Sequence, residues 1–327
     1  MRYITDLKAL KNISPCVITL GKFDGVHRGH QKLIRIVHEI AAKRGWKTAA
    51  FTFDVSPQVK MGMRRSQLLM TNEERRTRLE NLGLDYLVEC PFTDEVKNME
   101  PEDFVKEILV GRMHARALVI GADFHFGKKR RGDAALLLEM GKELDLEIHV
   151  EQKEQDGKRD ISSTYVREEL SLGHMEKVTE LLGNPYSVKG EIVHGNHIGH
   201  TLGFPTINQI PESIKLLPPN GVYLSRTLVD GHEYDGISNV GTKPTVQGEK
   251  IMGIETHLLF FSGDLYGKEA RVQLLSFRRP EKKFGSLEEL KAQLDVDIRE
   301  ARELAVKKMS AAEKRSFPEK TVVKRKK

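Results

Sequence analysis

Short apolar runs alternate with longer amphipathic runs through the first half of the chain. Five apolar runs have the length and composition of buried strands, at residues 16–20, 48–53, 86–90, 117–121 and 147–150. Between them, apolar residues recur at spacings of three and four, as at Leu33, Val37, Ile40 and Ala41, which predicts helices. This alternation predicts an α/β domain in which helices cover both faces of a parallel sheet.

Polar residues mark where two of these helices begin. Thr71 and Glu74 have the spacing of a capping box, and Pro101 suits a first helical turn. Parallel sheets of this kind bind ligands at the carboxyl ends of their strands. We therefore search the loops that follow the strands for functional residues.

The pattern changes between Gly183 and Tyr186. Four β-rich segments follow, at residues 186–194, 221–229, 255–261 and 270–277. Ser286 and Glu289 then begin one long helix with a single apolar stripe. Many strands and one terminal helix predict a small β-barrel with a helix packed on it. We expect domains at residues 1–183 and 184–310, followed by a basic tail at 311–327.

The amino-acid composition is typical of a folded protein with a solvated surface. The 327 residues are 39% hydrophobic and 31% charged, without an apolar run long enough to cross a membrane. The charged N-terminal residues lack the apolar stretch of a secretory signal. Cys16 and Cys90 lie in strand-like runs, which predicts buried thiols and a reducing compartment. We expect a cytoplasmic protein that does not bind membranes.

The net charge of +6 admits phosphate ligands or nucleic acid as partners. Part of this charge lies in the terminal run Lys324-Arg325-Lys326-Lys327, and such runs are most often solvated tails. We do not expect nucleic acid as a partner. An RNA-binding protein that uses this tail is nevertheless a distinct hypothesis, which salt-dependent binding would test.

A glycine-rich run, Gly-Lys-Phe-Asp-Gly-Val-His-Arg-Gly-His at residues 21–30, follows the first predicted strand and opens the first long helix. Glycines allow close backbone approach, and the free amides at a helix start bind anions. His27 and His30 can face one phosphate and donate hydrogen bonds to it. Two surface histidines or two zinc ligands are the alternatives, but the cysteines offer no paired spacing for zinc. We expect a nucleotide phosphate at this loop.

Two later segments could serve the same ligand. Gly-Ala-Asp-Phe-His-Phe-Gly at residues 121–127 follows the fourth predicted strand, and its Phe124 could stack on a flat ring or belong to the core. Ile-Ser-Ser-Thr-Tyr-Val-Arg at residues 161–167 offers hydroxyls, amides and a cation to a polyphosphate. Residues of this type also form ordinary helix N-caps, which the segment alone favours.

The second half carries its own candidate site. Glycines cluster at residues 190–203, where they permit close backbone approach to phosphates. Thr206 and Asn208 are two residues apart, so both project to one side of an extended segment and could hold Mg²⁺. A barrel corner with loop-capping hydroxyls is an equal alternative. Glu255 is either a general base or a surface ion-pair partner.

These motifs resemble the bifunctional bacterial riboflavin kinase/FAD synthetase (FMN adenylyltransferase) family. The three segments of the first half are similar to its Rossmann-like nucleotidyltransferase domain. The resemblance implies that His27 and His30 act on ATP phosphates, and it implies further ATP and phosphate contacts at Gly21, Phe23, Asp24, Gly25, Asp123, Ser163, Thr164 and Arg167. It also implies flavin contacts at Phe53, Pro57 and Phe124. The family's Thr-Phe-x-Pro-His-Pro is Thr-Phe-Asp-Val-Ser-Pro here, so Val55 and Ser56 replace its first proline and its histidine, while Phe53 and Pro57 remain.

Five segments of the second half, in order, resemble riboflavin kinase; they lie at residues 194–208, 236–245, 255–259, 264–267 and 279–284. The resemblance implies Glu255 as the catalytic base and Thr206 and Asn208 on the metal side. Asn239 is assigned to the flavin, and Gly190, Gly195 and Gly199 to ATP phosphates. The family's Pro-Thr-Ala-Asn has Ile207 in place of alanine, and Phe260 replaces an aspartate that usually follows Glu-Thr-His.

The resemblance implies two reactions: phosphorylation of riboflavin to FMN, then adenylyl transfer from ATP to FMN. It implies ATP and Mg²⁺ as cofactors, small-molecule flavins as substrates and products, and allows a weak homo-oligomer. A chain that retains only the kinase, or whose first domain is another nucleotidyltransferase, is the alternative.

Overall fold

The computed structural model describes residues 1–10, 13–55, 67–195, 204–244 and 250–308, so the expected basic tail lies outside the described residues. The chain forms two compact units. The first consists of Met1–Leu172, Lys177–Asn184 and Glu212–Leu217, and the second of the remainder. Among the described helices, none is long and apolar enough to cross a membrane.

A six-stranded parallel sheet forms the centre of the first unit. Its order is β1-β4-β3-β2-β5-β6, with strands at Arg2–Ile4, Cys16–Leu20, Lys47–Phe53, Tyr86–Cys90, Ala115–Gly121 and Glu147–Glu151 for β1 to β6. All five expected strands are confirmed. The order reverses at β2, which has β3 on one side and β5 on the other. Such a switch point opens a crevice at the carboxyl ends of the two strands.

Alternation along the strands separates two apolar cores. Ile18 on β2 packs with the cluster that includes Phe104 and Leu137, whereas its neighbour Val17 packs with the cluster that includes Ile34 and Leu79. Successive strand residues point to opposite faces, so each face needs its own covering helices. The expected α/β domain is confirmed, and the two cores hold the strand ends in place.

The helices begin where the sequence indicates. They are α1 Arg28–Arg44, α2 Asn72–Asn81, α3 Asp94–Asn98, α4 Pro101–Asp103, α5 Ala134–Leu144, α6 Ser163–Ser171, α7 Met175–Leu182 and α8 Leu287–Lys308. Thr71 and Glu74 make the predicted capping box at α2, and Pro101 lies in the first turn of α4. The chain continues from α4 as a π-helix over Phe104–Arg112. A short hairpin, β7 Gln155–Asp156 and β8 Arg159–Asp160, precedes α6.

The buried carboxylate of Glu89 joins β4 to two other elements of the first unit, β1 and α2. It accepts hydrogen bonds from the hydroxyl of Tyr3, from Arg75, and from Nε of Arg76 at 3.2 Å. Burial, together with the bond to Glu89, raises the pKa of Tyr3 to about 12. These contacts fix β1, which the sequence analysis missed because it is only three residues long and carries polar groups.

Arg75 extends this arrangement to the carboxyl ends of two strands. It donates to the carbonyl oxygens of Phe53 at 3.0 Å and Lys22 at 3.2 Å. The guanidinium therefore holds the loop after β2 and the carboxyl end of β3 through their backbone carbonyl oxygens.

An antiparallel six-stranded sheet forms the second unit, with the order β10-β13-β12-β11-β14-β9. Its strands are β9 Tyr186–Glu191, β10 Thr206–Gln209, β11 Gly221–Val229, β12 His232–Pro244, β13 Lys250–Leu258 and β14 Glu269–Pro280. A bridge between Val193 and Asn208 joins the two edges. The expected small barrel is confirmed.

Strand β12 was not predicted, and the barrel interior explains why. The buried hydroxyl of Ser238 on β12 bonds Ser225 on β11 at 2.8 Å and Thr256 on β13 at 2.7 Å. Small hydroxyl side chains thus fill positions where a strand usually carries apolar ones. Because each hydroxyl has a partner on the next strand, burial is tolerated without a hydrophobic pattern in the sequence.

The terminal helix α8 packs on the barrel through Ile298 and Ala301, which lie against Val222, Ile237 and Leu259. The hydroxyl of Ser286 accepts a hydrogen bond from the amide of Glu289 at 3.2 Å, as predicted. Arg279 on β14 also binds Asp297 on α8, with 2.6 Å between Nη2 and the carboxylate. Apolar contact and a partly buried ion pair thus hold the helix.

We expect Glu89→Gln to lower the free energy of unfolding of the first unit by about 3–5 kcal/mol, because it leaves the buried Arg75 guanidinium without its counter-charge. Denaturant unfolding followed by circular dichroism measures this loss. Glu39→Gln on the exposed face of α1, where Glu39 pairs with Arg35, is the matched control and should change stability by less than about 0.5 kcal/mol. Equal effects of the two changes would contradict the structural role of Glu89.

Candidate active sites

The loop after β2 is held in an uncommon backbone conformation. Phe23 and Val26 are fully buried, and both have positive φ angles, 49° and 40°. Gly25 has φ of 83°, and a Cβ there would lie 2.9 Å from the side chain of Leu69. Residues other than glycine adopt positive φ angles only where the surrounding structure determines the backbone conformation. The loop is therefore closely packed, and Gly25 fits where a larger residue would collide.

His27 and His30 lie side by side at the start of α1. Their rings stack with centroids 3.8 Å apart, and the ring of Phe23 lies 5.2 Å from that of His30. The Nδ1 atoms of both histidines are buried without a hydrogen-bond partner among the described residues. Buried polar atoms of this kind require an explanation, and a ligand that supplies the partner is one.

Both imidazoles are neutral at pH 7. Burial, assisted by the positive charge of Arg167, lowers the pKa of His27 to about 4. Burial, and then the neighbouring His27, keeps the pKa of His30 well below its ordinary value. Neutral imidazole still carries one N–H, so each ring can donate one hydrogen bond to a phosphate oxygen.

Asp24 joins the loop to two other segments. Its carboxylate accepts a hydrogen bond from the amide of Met70 at 3.2 Å and binds the guanidinium of Arg167 on α6. Its carbonyl oxygen accepts from the hydroxyl of Ser163 at 2.8 Å. Burial raises the pKa of Asp24, while Arg167 and the backbone amides act against that rise. Asp24 thus orients Arg167 beside the histidines.

The segment at residues 161–167 contains an ordinary N-cap and, next to it, side chains that contact the loop after β2. Ser162 is the N-cap of α6, where its hydroxyl accepts from the amide of Tyr165 at 3.2 Å. Ser163 and Arg167, in contrast, face the loop after β2. Thr164 lies exposed in the first turn of α6. The ordinary cap and the candidate phosphate contacts therefore come from different residues of one short segment.

The loop after β5 supplies the other side of the crevice. Asp123 is exposed and pairs with Lys153 at 2.9 Å. Phe124 and Phe126 stack with ring centroids 5.6 Å apart, and Phe126 belongs to the core. Phe53, at the end of β3, packs edge-on against Phe51 and Phe92. Phe53 and Phe124 border the same core cluster, while Pro57 lies outside the described residues.

Three polar residues of the second unit lie in one row across adjacent strands. Asn208 on β10 is opposite Glu255 on β13, and Glu255 is opposite Asn239 on β12. Directly opposed residues of an antiparallel pair project to the same face. The hydroxyl of Thr206 donates to Glu255 Oε1 at 2.8 Å. The register therefore places Asn208 and Asn239 on the same face of the sheet as Glu255, and Thr206 contacts its carboxylate directly.

Lys243 also belongs to this site, and the sequence analysis did not single it out. Its ammonium donates to Asn208 Oδ1 and lies 3.7 Å from Glu255 Oε2. Burial lowers the pKa of Lys243, although Glu255 opposes that shift. The ammonium of Lys243 thus lies beside oxygens of both Asn208 and Glu255. The only available signal was its place inside the kinase-like segment at residues 236–245.

The candidate glycines occupy different surroundings. A Cβ at Gly195 would lie 2.4 Å from the amide of Asn208, so this position requires glycine. Gly190 lies within β9, where its carbonyl oxygen accepts from Gln209 at 2.7 Å. Gly199 lies outside the described residues. Only Gly195 is placed directly against the polar row.

The two sites have different chemical equipment. The first offers two neutral imidazoles, a guanidinium, hydroxyls and a helix N-terminus, all suited to binding anionic phosphates. The described residues contain no group of three or more His, Cys, Asp or Glu side chains placed to hold a metal. The second offers a carboxylate that could accept a proton, surrounded by neutral oxygens.

Family models match both halves of the chain. A model described as FAD synthetase matches residues 9–165, and one described as riboflavin kinase matches residues 182–305. A solved structure described as a macrolide-efflux protein from Streptococcus pneumoniae is 28% identical, with a TM-score of 0.82 over 92% of this chain and 98% of that chain.

Curated relatives match almost the whole length. The bifunctional riboflavin kinase/FMN adenylyltransferase of Listeria monocytogenes is 35% identical over 88% of this chain and 91% of its own length. That of Escherichia coli K12 is 36% identical over 88% and 92%. The chain therefore belongs to the family of bifunctional riboflavin kinase/FMN adenylyltransferases.

Proposed function

We propose that this chain phosphorylates riboflavin to FMN at the barrel site and adenylylates FMN at the histidine site. The observation that carries the proposal is the presence of two sites with different equipment, one in each half of the chain. We assign the adenylyltransferase to residues 1–183 and the kinase to residues 184–310. Because each family model covers one half, a kinase-only chain is not favoured.

Glu255 acts as general base in the first reaction. It accepts the proton of the riboflavin 5′-hydroxyl while that oxygen attacks the γ-phosphorus of ATP, and ADP leaves. The bond from Thr206 to Oε1 fixes one carboxylate oxygen and leaves the other for the proton. Asn239, in the same row, contacts the flavin, and Gly195 allows ATP phosphates to approach the backbone.

The oxygen donors at this site fit Mg²⁺. A hydroxyl, an amide oxygen and a carboxylate are ligands that this hard cation accepts together with phosphate oxygens and water. Thr206 and Asn208 would hold it against ATP, and the bound ion would neutralise phosphate charge. The ammonium of Lys243 beside Asn208 and Glu255 supports this fit, since it occupies an oxygen-lined position with a positive charge.

The second reaction needs no general base. The FMN phosphate, with a second pKa of about 6, is largely dianionic at neutral pH. One of its oxygens attacks the α-phosphorus of ATP, and pyrophosphate leaves. His27 and His30 donate hydrogen bonds to the phosphates, and Arg167 offsets charge on the departing pyrophosphate. Ser163, Thr164 and the loop amides complete the phosphate contacts, while Phe53, Pro57 and Phe124 face the flavin.

We also propose that these reactions take place in the cytoplasm. Cys16 and Cys90 are free, buried thiols, as expected for a protein of the cytoplasm. Small-molecule flavins and ATP are the partners. A weak homo-oligomer stays a prediction.

We expect Glu255→Gln to lower the rate of FMN formation by about 10²–10⁴-fold, because glutamine cannot accept the proton. FMN-to-FAD conversion by the same protein should be unchanged. Riboflavin, FMN and FAD are followed by chromatography with ATP and Mg²⁺ present. Glu269→Gln, which changes a strand glutamate paired with Lys189, is the matched control. Loss of both activities in Glu255→Gln would contradict the two-site model.

We expect His30→Ala to let FMN accumulate, since the kinase keeps working while adenylyl transfer slows by roughly 10²-fold or more through the loss of a phosphate donor. His38→Ala removes another histidine of α1, bonded to the carbonyl of Leu82, and serves as control. Normal FAD output from His30→Ala would exclude the role assigned to that ring.

We expect the first unit to lose stability below about pH 6.5 through its buried histidines. Between about pH 6.5 and 4 the unfolded chain binds protons that the folded His27 does not, so the free energy of unfolding falls by up to about 1.4 kcal/mol per pH unit for each such histidine. This stability is complete above pH 6.5 and lost as the pH falls through about 4.

Thermal unfolding between pH 4 and 7 measures this dependence. His27→Gln should reduce the pH dependence of the unfolding temperature by the contribution of His27. His232→Gln, which replaces an exposed histidine, is the control for the loss of an imidazole as such. An identical slope in wild type and His27→Gln would show that the ring is not held neutral.

A further inference from the structure

A short segment from the second half of the sequence belongs to the first unit. Glu212–Leu217 follows β10, which carries Thr206 and Asn208, yet it is counted with residues 1–172. Leu68 donates its amide to the carbonyl of Ile214 at 2.6 Å and accepts from the amide of Leu216 at 2.8 Å. The two segments form a parallel bridge centred on Leu68 and Lys215.

The side chain of Lys215 is buried at this contact. Its side chain is 2% exposed, and its ammonium donates to the carbonyl oxygen of Leu69 at 2.9 Å and to Glu74 Oε2 at 2.5 Å. The same Glu74 oxygen accepts the amide of Thr71 at 2.9 Å in the capping box of α2. A buried ammonium needs such partners, so its position dictates where Leu69, Thr71 and Glu74 lie.

The residues that Lys215 fixes are the ones that hold the phosphate loop. The amides of Leu69 and Met70 bond the carboxylate of Asp24, which in turn binds Arg167. The side chain of Leu69 also lies against Gly25, where it leaves no room for a Cβ. A change at Lys215 therefore reaches the loop after β2 through one intervening segment, residues 67–71.

We infer that Lys215 is a positioning residue for adenylyl transfer, which holds residues 67–71 so that Asp24 orients Arg167 and the Gly21–His30 loop toward the ATP phosphates. This inference rests on the proposed function, in which Arg167 and that loop bind the phosphates of ATP. The residue comes from the half of the sequence assigned to the kinase. The adenylyltransferase site is consequently complete only when both halves of the chain are present.

The test is steady-state kinetics on the full-length chain carrying Lys215→Met, with ATP varied at saturating FMN. We expect the KM for ATP in FAD formation to rise at least tenfold, while the KM for FMN changes less than threefold. Riboflavin phosphorylation by the same protein should stay within twofold of wild type, which shows that the second unit is folded.

Two reference variants separate positioning from general destabilisation. Leu137→Ala opens a cavity in the core under α5, away from residues 67–71, and should lower the unfolding temperature without raising the KM for ATP. Arg167→Met removes the guanidinium that Asp24 orients and should raise the KM for ATP. An unchanged KM for ATP in Arg167→Met would contradict the proposed role of Arg167 in ATP binding, and the inference about Lys215 would then be wrong as well.

If Arg167→Met raises the KM for ATP but Lys215→Met behaves like Leu137→Ala, Lys215 is structural only and the inference is wrong. Should Lys215→Met fail to fold, Glu74→Gln provides the second variant, because glutamine keeps the side-chain size and an oxygen that can accept the amide of Thr71, while it removes the negative charge that pairs with Lys215. A rise of at least threefold in the KM for ATP supports positioning, and an unchanged KM contradicts it.

Discussion

The carboxylate of Asp24 is the contact on which the first site depends. It draws together the loop after β2, the segment before α2 and the start of α6, three parts of the chain that are far apart in sequence. Burial makes the carboxylate costly unless each oxygen has partners, so its partners cannot move independently. Phe23 and Val26 can keep their uncommon backbone angles only because this arrangement holds the loop from several sides.

The two sites illustrate how different phosphorus transfers require different side chains. A phosphate nucleophile is already ionised, so the adenylyl transfer that we propose for the histidine site can rely on the neutral donors and the guanidinium found there. An alcohol nucleophile must lose a proton, and Glu255, held by Thr206 and flanked by Lys243 in the barrel, is the base that we propose for it. Parallel and antiparallel sheets achieve the placement differently: the first gathers loops at a switch point, and the second aligns residues by strand register.

Much of the fold was predictable because local patterns and tertiary structure agree. The five parallel strands, the capping box of Thr71 and Glu74, and the start of α8 all follow from apolar periodicity and cap residues. Strand β12 was not predictable, since its interior positions carry hydroxyls that are satisfied only by neighbouring strands. For the sites, the spacing of His27 and His30 indicated phosphate binding from the sequence alone. Lys215 and Lys243 could not be found that way, because a lysine next to a distant carboxylate looks like any surface lysine until the chain is folded.

The discontinuous first unit has a consequence for synthesis of the protein. Its parallel sheet is encoded before residue 152, but Glu212–Leu217 leaves the ribosome only after β9 and β10 have been made. At about 5–20 residues per second, the nascent sheet waits for seconds with the backbone of Leu68 and the carboxylate of Glu74 still in water. Translation speed across this interval thus sets how long an incomplete adenylyltransferase domain is exposed to proteases and chaperones.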